Sequence, residues 1–428
     1  MKTKPYPKYK PSGVEWLGDV PEHWGVKRLK NCLSLITNKN EASSDFQVAL
    51  ENIESWTGRY INSDTQFEGE GIQFEAGDIL FGKLRPYLAK VYLAEKKGES
   101  VGDFFVFRPK EGLMSEYVSK VLLSKKYIDI IDGSTYGSKM PRASWDFIGN
   151  LLSFVPPLPE QQAIADFLDR ETGRIDALIA KKERLLELLA EQRAALISRA
   201  VTRGLDPSVK LKPSGVEWLG DIPRHWEVKR VKHIANIRYG VGEPPEYIED
   251  GVAFIRATNI NAGMIESENL VRINPEDIPF TRRIWLKTGD IIVVRSGAYT
   301  GDSAIIPEEY SGSIAGFDLV VSCRKTASSF LAYALLSKYL RDGQIFLQKM
   351  RAAQPHLNAE ELGNCLVFLP PLTEQHVIAD FLDRETAKID ALSGKVKEAI
   401  KKLREYRSAL ISAAVTGKID VREAYEFV

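Results

Sequence analysis

The chain has 428 residues, of which 44% are hydrophobic and 27% charged, and this composition is typical of a folded protein with two or three cores. Its 58 basic and 58 acidic residues cancel, so the overall charge does not point to a polyanionic partner, and any such contact must come from local patches. The sequence has no run of about 18 apolar residues and no apolar segment after its basic N-terminus, which argues against a membrane span and a secretory signal.

The cysteines are odd in number and far apart in sequence: Cys32, Cys323 and Cys365. This pattern indicates unpaired thiols in a reducing compartment, so we expect a cytoplasmic protein. Neither a CxxC motif nor a close group of histidines and cysteines occurs, and we therefore expect no metal in this chain.

Two segments of the chain occur twice. Residues 10–30 (KPSGVEWLGDVPEHWGVKRLK) match residues 212–232 at 17 of 21 positions, and residues 156–181 (PPLPEQQAIADFLDRETGRIDALIAK) match residues 370–395 at 19 of 26. The period of roughly 200 residues is far longer than the roughly 20 to 50 residues of a solenoid repeat. The chain is therefore a tandem duplication, and each copy runs from a box through a divergent region to a second shared motif.

The two divergent regions, residues 31–155 and 233–369, have the pattern of mixed domains. Short apolar runs such as DFFVFRP and FDLVVSCR are broken by Gly, Pro and Asn, which predicts strands. One helical stretch follows in each copy, Ser115 to Ile131 and Ser328 to Gln348. Each region is thus predicted to be a compact α+β domain.

The second shared motif begins a long helix in each copy. Each helix follows a Pro-Pro pair, ends near Gly204 or Gly417, and shows a heptad pattern of apolar residues that a lone helix would expose. We therefore predict that the two helices form an antiparallel coiled coil with internal pseudo-two-fold symmetry. The predicted seam contains Ile164, Leu168, Ile175, Leu178, Leu185, Leu189 and Leu196, and Ile378, Leu382, Ile389, Leu392, Val396, Leu403, Tyr406 and Leu410.

The predicted fold class is α+β, as a tandem duplication of an α+β domain followed by a long helix. The predicted bounds are a first domain at 1–155 with its box at 10–30, a first spacer helix at 156–204, a second domain at 205–369 with its box at 212–232, a second spacer helix at 370–420, and a tail at 421–428.

The sequence lacks common enzyme motifs. It contains no GxGxxG, no GxxxxGK[ST] and no Asn/Asp-Pro-Pro-Tyr/Phe motif. His23 and His225 precede a tryptophan in each box, but the sequence names no Ser, Cys or carboxylate partner for them, so we predict a packing role. Asp78 with Glu95 and Lys97 loosely fits a nuclease pattern that the second copy does not repeat. We therefore expect no catalysis by this chain itself.

A cation follows a predicted strand at equivalent places in both copies, in GDILFGKLRPY and GDIIVVRSGAY. Lys83 and Arg295 are these cations, and Tyr87 and Tyr299 lie four residues further on. A cation and an aromatic side chain at a strand end can bind a phosphate or reach the edge of a base. The alternative is a surface charge beside a partly buried tyrosine.

A polar loop from Ser134 to Arg142 aligns with the segment from Arg351 to His356. The two loops differ almost completely although their flanks are alike, and they carry the donors that read base edges. The candidate DNA-binding residues are Lys83, Arg85, Tyr87, Ser134, Tyr136, Lys139 and Arg142 in the first copy, and Arg295, Ser296, Tyr299, Arg351, Gln354 and His356 in the second.

Charged residues inside the helix motif are identical in the two copies. They are either a solvated helix face or a docking surface that one kind of partner uses twice. These candidates for partner docking are Asp169, Arg170, Glu171, Asp383, Arg384 and Glu385.

The boxes (PSGVEWLGDVPEHW followed by VKRLK), the GDI strands and the PPLPEQxxIAxFLDxET motif with IDxL together resemble the specificity (S) subunit of type I restriction–modification systems. The resemblance spans the whole chain, because both copies show both motifs. It is specific for the boxes and helices, whereas the divergent regions contribute little to it.

This resemblance implies a DNA sequence-recognition subunit with two target recognition domains. Each domain would read one half of an asymmetric bipartite site in double-stranded DNA, and the helices would set the gap and dock two modification (methyltransferase) subunits. The family also implies restriction/translocase subunits. S-adenosylmethionine, ATP and Mg would be cofactors of those partner subunits, with none in this chain. The alternative is a non-catalytic scaffolding protein whose domains bind something other than DNA.

Overall fold

A computed structural model of the chain describes residues 4–39, 46–63, 71–137, 139–216, 220–349 and 356–422. The chain forms two compact units, a first unit of residues 1–183 with 398–428 and a second unit of residues 184–397. Each unit holds one α+β domain, the start of the long helix that follows this domain, and the end of the other long helix.

A four-stranded antiparallel sheet lies at the centre of the first unit. Its strands occur in the order Leu33–Ile36, Phe104–Pro109, Ile79–Gly82 and Val91–Leu93. A smaller sheet pairs Gln47–Val48 and Ile72–Phe74 with Gly98–Ser100, and Val48 and Phe74 join Leu80 and Val106 in one apolar core. The box supplies two further strand pairs, Tyr9–Pro11 with Asp19–Pro21 and Gly25–Arg28 with Leu152–Val155.

The second unit repeats this order. Its main sheet contains Ala235–Tyr239, Leu319–Cys323, Ile291–Val293 and Ser303–Ile305, again antiparallel. The box pairs Leu211–Pro213 with Asp221–Pro223 and Glu227–Arg230 with Leu366–Leu369. Further strands are Tyr247–Ile248, Val271–Ile273, Val252–Ile255 and Ile314–Ala315 in a second sheet, and the hairpin Ile260–Asn261 with Met264–Ile265. The prediction of a duplicated α+β fold is confirmed.

The single helix predicted in each divergent region is wrong, because each is two helical segments with a break at a serine. In the first unit the break is at Ser124, between the helices Ser115–Leu123 and Lys125–Gly133. In the second unit the helix Ser328–Leu336 ends at Ser337. A π-helical segment, Tyr339–Ile345, then leads into the short helix Phe346–Lys349. Both serines are extended, and each hydroxyl donates to the carbonyl three residues earlier, which competes with the helical hydrogen bond. The remaining short helices are Leu29–Cys32, Trp145–Ile148 and Ala359–Asn364.

The tryptophans of the boxes are core residues. Trp24 and Trp226 are fully buried, and the ring of Trp24 packs against that of Phe154 with 6.0 Å between the ring centres. Trp16 contacts Tyr127 edge-on, whereas Trp218 lies outside the described residues. These contacts fix each box beneath its own domain.

The long helices run over Leu158–Arg203 and Leu372–Val415. The second helix ends at Gly417, which has φ +68° and lies so close to Pro21 that a Cβ would be 2.4 Å from the proline ring. Only glycine fits this left-handed, crowded position.

A Glu-Gln pair in the first turn of each helix joins the helix to its domain. Gln161 accepts from the backbone of Met114 at 2.9 Å and donates to two carbonyls, and Gln375 makes the corresponding bonds around Ala327 and Pro370. Glu160 contacts His23 at 2.8 Å, and Glu374 contacts His225 at 2.7 Å. Each box histidine therefore has the carboxylate partner that the sequence alone did not identify.

The predicted heptad seam is wrong in part. Leu178, Leu185, Leu392 and Tyr406 are exposed, whereas the buried residues include Ile179, Ile197, Ile400 and Ile411. The packed face of the first helix keeps a seven-residue repeat in two series, Leu168, Ile175, Leu189 and Leu196, and Thr172, Ile179, Arg193 and Ala200. The first series was predicted, whereas the predicted Leu178 and Leu185 each lie one residue before the second series and therefore face outward.

Two matching ion pairs join the helix segments, one inside each unit. Arg407 donates to Asp176 at 2.9 Å in the first unit, and Arg193 donates to Asp390 at 3.0 Å in the second. Both arginines and both aspartates occupy equivalent positions in the two copies, 214 residues apart. In the first unit the ion pairs run from Asp176–Arg407 to Glu183–Arg404, so residue numbers rise along one helix as they fall along the other, and the two segments are antiparallel.

Candidate nucleic-acid interface

In the first unit the two predicted contact segments lie side by side. Lys83 follows the strand Ile79–Gly82, and its carbonyl accepts from the backbone of Ala143 at 2.9 Å. Arg85 has a left-handed backbone with φ +51°, and its amide donates to the carbonyl of Pro141 at 2.8 Å. The strand end and the loop around Arg142 therefore form one surface, as the paired candidates require.

Asp103 links the cations of this surface. Its carboxylate contacts Arg142 at 2.8 Å and Lys83 at 3.9 Å, and the ammonium of Lys83 lies 5.5 Å from the centre of the Phe105 ring. The hydrogen bond from Arg142 to Asp103 raises the pKa of the guanidinium further above its ordinary range. Asp103 therefore fixes the distance between two cations that come from different loops.

The remaining candidates of the first unit differ in exposure. Tyr136 is 65% exposed and Tyr87 is 46% exposed, and Arg85 and Lys139 are exposed as well. Ser134 donates its hydroxyl hydrogen to the carbonyl of Ile131 at 2.7 Å, and it caps the C-terminus of the helix Lys125–Gly133. This structural role is separate from the predicted contact with DNA. An exposed tyrosine beside cations offers a stacking surface and phosphate-binding charge together.

In the second unit Arg295 is held by aromatic rings. Its guanidinium carbon lies 4.2 Å from the centre of the Phe317 ring and 4.8 Å from that of Tyr239, a cation–π arrangement on both. Arg295 also lies 2.8 Å from Nε2 of His356, and Ser296 pairs with His356 through the backbone. Arg351 and Gln354 lie outside the described residues.

Asp318 occupies the position in the second copy that Asp103 has in the first, directly before the central strand of the sheet. Its Oδ1 accepts from the backbone amide of Arg295 at 3.1 Å. Burial raises the pKa of this carboxyl to about 6, although the hydrogen bond and the charge of Arg295 act in the opposite direction. Neither aspartate is among the residues predicted from the sequence, although each is the first residue of a matching apolar run, DFFVF or DLVVS.

A further set of residues that the sequence analysis missed surrounds Arg295. Tyr239, Tyr247 and Phe317 are each 42% to 45% exposed, and Arg256 donates to the hydroxyl of Tyr247 at 3.3 Å. Tyr299, a predicted candidate, is 61% exposed. One scaffold thus carries two different sets of side chains at the same strand end: lysine, arginine and tyrosine in the first unit, and arginine, histidine and aromatics in the second.

The comparisons with known proteins give matches to one family. The family profile of the type I restriction modification DNA specificity domain matches residues 223–402. The MjaVIII specificity subunit of Methanocaldococcus jannaschii is 25% identical over 94% of this chain and 94% of its own length. The EcoBI specificity subunit of Escherichia coli is 26% identical over 68% of this chain and 64% of its own length.

The fold agrees with these matches. A chain solved in work on complex assembly and conformational transition of the type I restriction–modification system superposes with a TM-score of 0.71 at 18% identity, over 94% of this chain and 99% of that chain. Over most of its length this chain is similar to type I specificity subunits. The resemblance inferred from the boxes and helices is confirmed.

Two of the docking candidates already make internal contacts. Asp169 forms an ion pair with Lys120 of its own domain, and Asp383 accepts from the hydroxyl of Tyr333 at 2.6 Å. The carboxylate of Asp169 remains 57% exposed. The identity of these aspartates in both copies therefore has one structural cause, the attachment of each domain to its helix.

The other docking candidates lie on the helix surface. Arg170 contacts Glu171 at 2.9 Å and lies 5.6 Å from the centre of the Phe167 ring. Glu385 pairs with Lys388 at 2.7 Å, and Arg384 is exposed. No contact in the part of the chain that the structure describes tests whether a partner binds here, so partner docking stays a prediction.

Within the described ranges, no three His, Cys, Asp or Glu side chains lie close enough together to hold a metal ion. The same residues include no helix that is both long and apolar enough to cross a bilayer. Cys32 and Cys365 are buried free thiols, and burial raises the pKa of Cys365 to about 12.

Proposed function

We propose that this chain is the DNA sequence-recognition subunit of a type I restriction–modification complex. Each of its two α+β domains reads one half of an asymmetric, bipartite site in double-stranded DNA. The observation that carries this proposal is the strand end shared by both units, where one backbone scaffold presents cations beside exposed aromatics, with different side chains in each copy.

At each strand end, some side chains contribute to the affinity for DNA and others to the specificity for its sequence. Exposed cations such as Arg85 and Lys139 bind phosphates, which gives salt-dependent affinity for any sequence. Side chains held in fixed positions, such as Arg142 on Asp103 and Arg295 between two rings, have the rigidity that base-edge recognition needs. Because the two domains carry different side chains at this strand end, they recognise different half-sites.

The helices have a separate role. Their antiparallel segments and matching ion pairs fix the helix register inside each unit, and this register sets the unspecified gap between the half-sites. The charges of the helix motif, exposed at Arg384 and half-buried at Arg170 and Glu385, would dock two modification subunits. Those subunits would carry S-adenosylmethionine and adenine methylation, and restriction/translocase subunits would carry ATP and Mg. The specificity chain itself contributes no reacting group.

Methylome sequencing tests the proposal. Expression with the cognate modification subunit should produce one new bipartite adenine motif. Replacement of residues 31–155 by the corresponding region of another family member should change one half of that motif and leave the other half and the gap intact. If both halves changed, or neither did, the assignment of one half-site to each domain would be wrong.

A further inference from the structure

A small pocket lies beside Arg295 in the second unit. It has a volume of about 220 Å³, which is below the roughly 300 to 1,000 Å³ of pockets that take drug-sized ligands. The pocket therefore has room for one small planar group. Its lining includes Tyr247, Arg256, Ser296, Phe317 and Asp318.

The walls of the pocket are aromatic and flat. Tyr247 is 45% exposed and is covered by Arg256, whose guanidinium carbon lies 5.2 Å from the ring centre. Phe317 is 42% exposed and is covered by Arg295 at 4.2 Å. Each ring thus has a cation on one face, so the pocket places apolar surface beside positive charge.

The single carboxylate among the described lining residues is incompletely bonded. Asp318 is only 2% exposed, and its Oδ1 accepts from the amide of Arg295. Its Oδ2 is buried and makes no hydrogen bond of ordinary geometry to the residues that the structure describes, although the backbone amide of Ala257 lies close enough to lower the pKa of the carboxyl. A buried carboxylate oxygen without a well-aligned donor is costly, so the site is complementary to a ligand that brings an N–H group.

We propose that this pocket reads one base of the half-site recognised by the second domain, and that Asp318 Oδ2 accepts a hydrogen bond from the exocyclic amino group of that base. Cytosine N4 and adenine N6 are the amino groups that the major groove presents. The inference rests on the proposed function, since it requires that the second domain binds DNA.

The equivalent residue of the first domain has another role. Asp103 already contacts two cations, Arg142 and Lys83, so its negative charge is balanced within the protein. The two copies therefore use one position in two ways: Asp103 positions cations, and Asp318 contacts the ligand. This difference predicts that substitution of Asp318 alters the choice of base at one position.

The substitution Asp318→Asn gives a directional test. The amide of Arg295 needs an acceptor, so the side-chain oxygen of the new amide takes the place of Oδ1 and its NH₂ group takes the place of Oδ2. The pocket then holds a donor where it held an acceptor. The preferred base should change from one with an amino group to one with a carbonyl, from cytosine to thymine or from adenine to guanine, and this outcome shows which amino base the wild type reads.

The measurement uses the full complex with its modification subunits and duplexes in which each base pair of the second half-site is replaced in turn. Wild type should lose about tenfold or more in affinity when the amino base is replaced at one position. Asp318→Asn should reverse the preference at that position alone. Glu309→Gln is the control, because it removes one exposed acidic charge from the same domain and should match wild type throughout.

Three results have distinct meanings. A reversal at one position supports the inference. Unchanged preferences, or an equal loss at every position with an unchanged circular dichroism spectrum, would overturn it while the proposed function stands. If the wild-type complex binds the methylated motif no better than random DNA, the proposed function fails first and the inference with it.

Discussion

The buried ion pair between Arg407 and Asp176 should stabilise the first unit strongly. Arg407 makes two hydrogen bonds to Asp176, at 2.9 and 3.2 Å, and a third to the carbonyl of Trp56 at 2.8 Å. The side chains of Arg407 and Asp176 are 11% and 18% exposed. Removing one partner of a buried pair costs roughly 3 to 5 kcal/mol. Because water still reaches this pair, we expect Arg407→Gln to lower the free energy of unfolding by about 3 kcal/mol.

Two other arginines provide comparisons for the expected loss of unfolding free energy. Arg193 makes the equivalent pair in the second unit, but Asp390 is 32% exposed, so we expect Arg193→Gln to cost about half as much. Arg404 lies almost one turn from Arg407 and pairs with Glu183 at 2.8 Å, but both side chains are about half exposed or more. Arg404→Gln is therefore the matched control and should cost at most about 1 kcal/mol.

A double-mutant cycle separates the pair from the individual residues. Urea unfolding of Arg407→Gln, Asp176→Asn and the double variant should give a coupling free energy of about 2 kcal/mol. Hydrogen exchange should also speed up in the loop that contains Trp56, because its carbonyl loses a donor. The reasoning is refuted if Arg407→Gln is as mild as Arg404→Gln, or if the coupling is below about 0.5 kcal/mol.

Three further predictions follow from the structure. Asp318 has its pKa raised from 3.8 to about 6, so the stability that its protonated form contributes is complete below pH 3.8 and lost as the pH rises through 6. Asp318→Asn should therefore raise the free energy of unfolding at pH 7.5 by about 3 kcal/mol, with a smaller gain at pH 4.5 in urea titrations. Lys139→Ala should remove one phosphate contact and so lower the slope of log affinity against log salt by about 1, which a binding series across salt measures. Seven residues inserted in both helices, between Ile175 and Leu196 and at the equivalent place in the second copy, should lengthen the methylated gap by about three base pairs or abolish recognition. An unchanged gap in the methylome would show that the helices do not set it.

The sequence was sufficient for the architecture because the duplication doubled each signal. Two boxes, two strand-end cations and two helix motifs gave the α+β class, and the structure places Lys83 beside Arg142 and Arg295 beside His356 as the alignment of the loops required. The candidates that the structure describes therefore do cluster, although which of them contact bases stays a prediction.

The helix seam was less predictable, because apolar residues alone do not define it. Leu178 and Leu392 fit a heptad but lie on the exposed face, whereas the packed face includes Arg407 and Thr172, which no apolar pattern selects. Polar residues on a buried face are visible in a sequence only when a partner is already known. Here the equal spacing of both aspartates and both arginines between the copies carried that information.

The pocket beside Asp318 could not have been inferred from the sequence. It depends on the distances between loops that are far apart in the chain, around Tyr247, Arg256 and Phe317. Aspartate before a strand is common in turns, and only the structure shows that one of its oxygens makes no hydrogen bond of ordinary geometry to the described residues. A pocket formed by loops that are distant in sequence depends on tertiary packing, which the sequence alone does not give.

The first unit is assembled from both ends of the chain. Tyr117 donates its hydroxyl to the carbonyl of Val415, Tyr9 donates to that of Gly417, and the backbone of Lys4 pairs with Asp420. The second unit, by contrast, is one continuous segment, residues 184–397. During synthesis the domain that is made first must therefore wait, for roughly 10 to 40 s at typical elongation rates, until the last helix is released. A nascent chain completes its second unit first, and a chain that is cut short after residue 397 retains that unit while the first remains open.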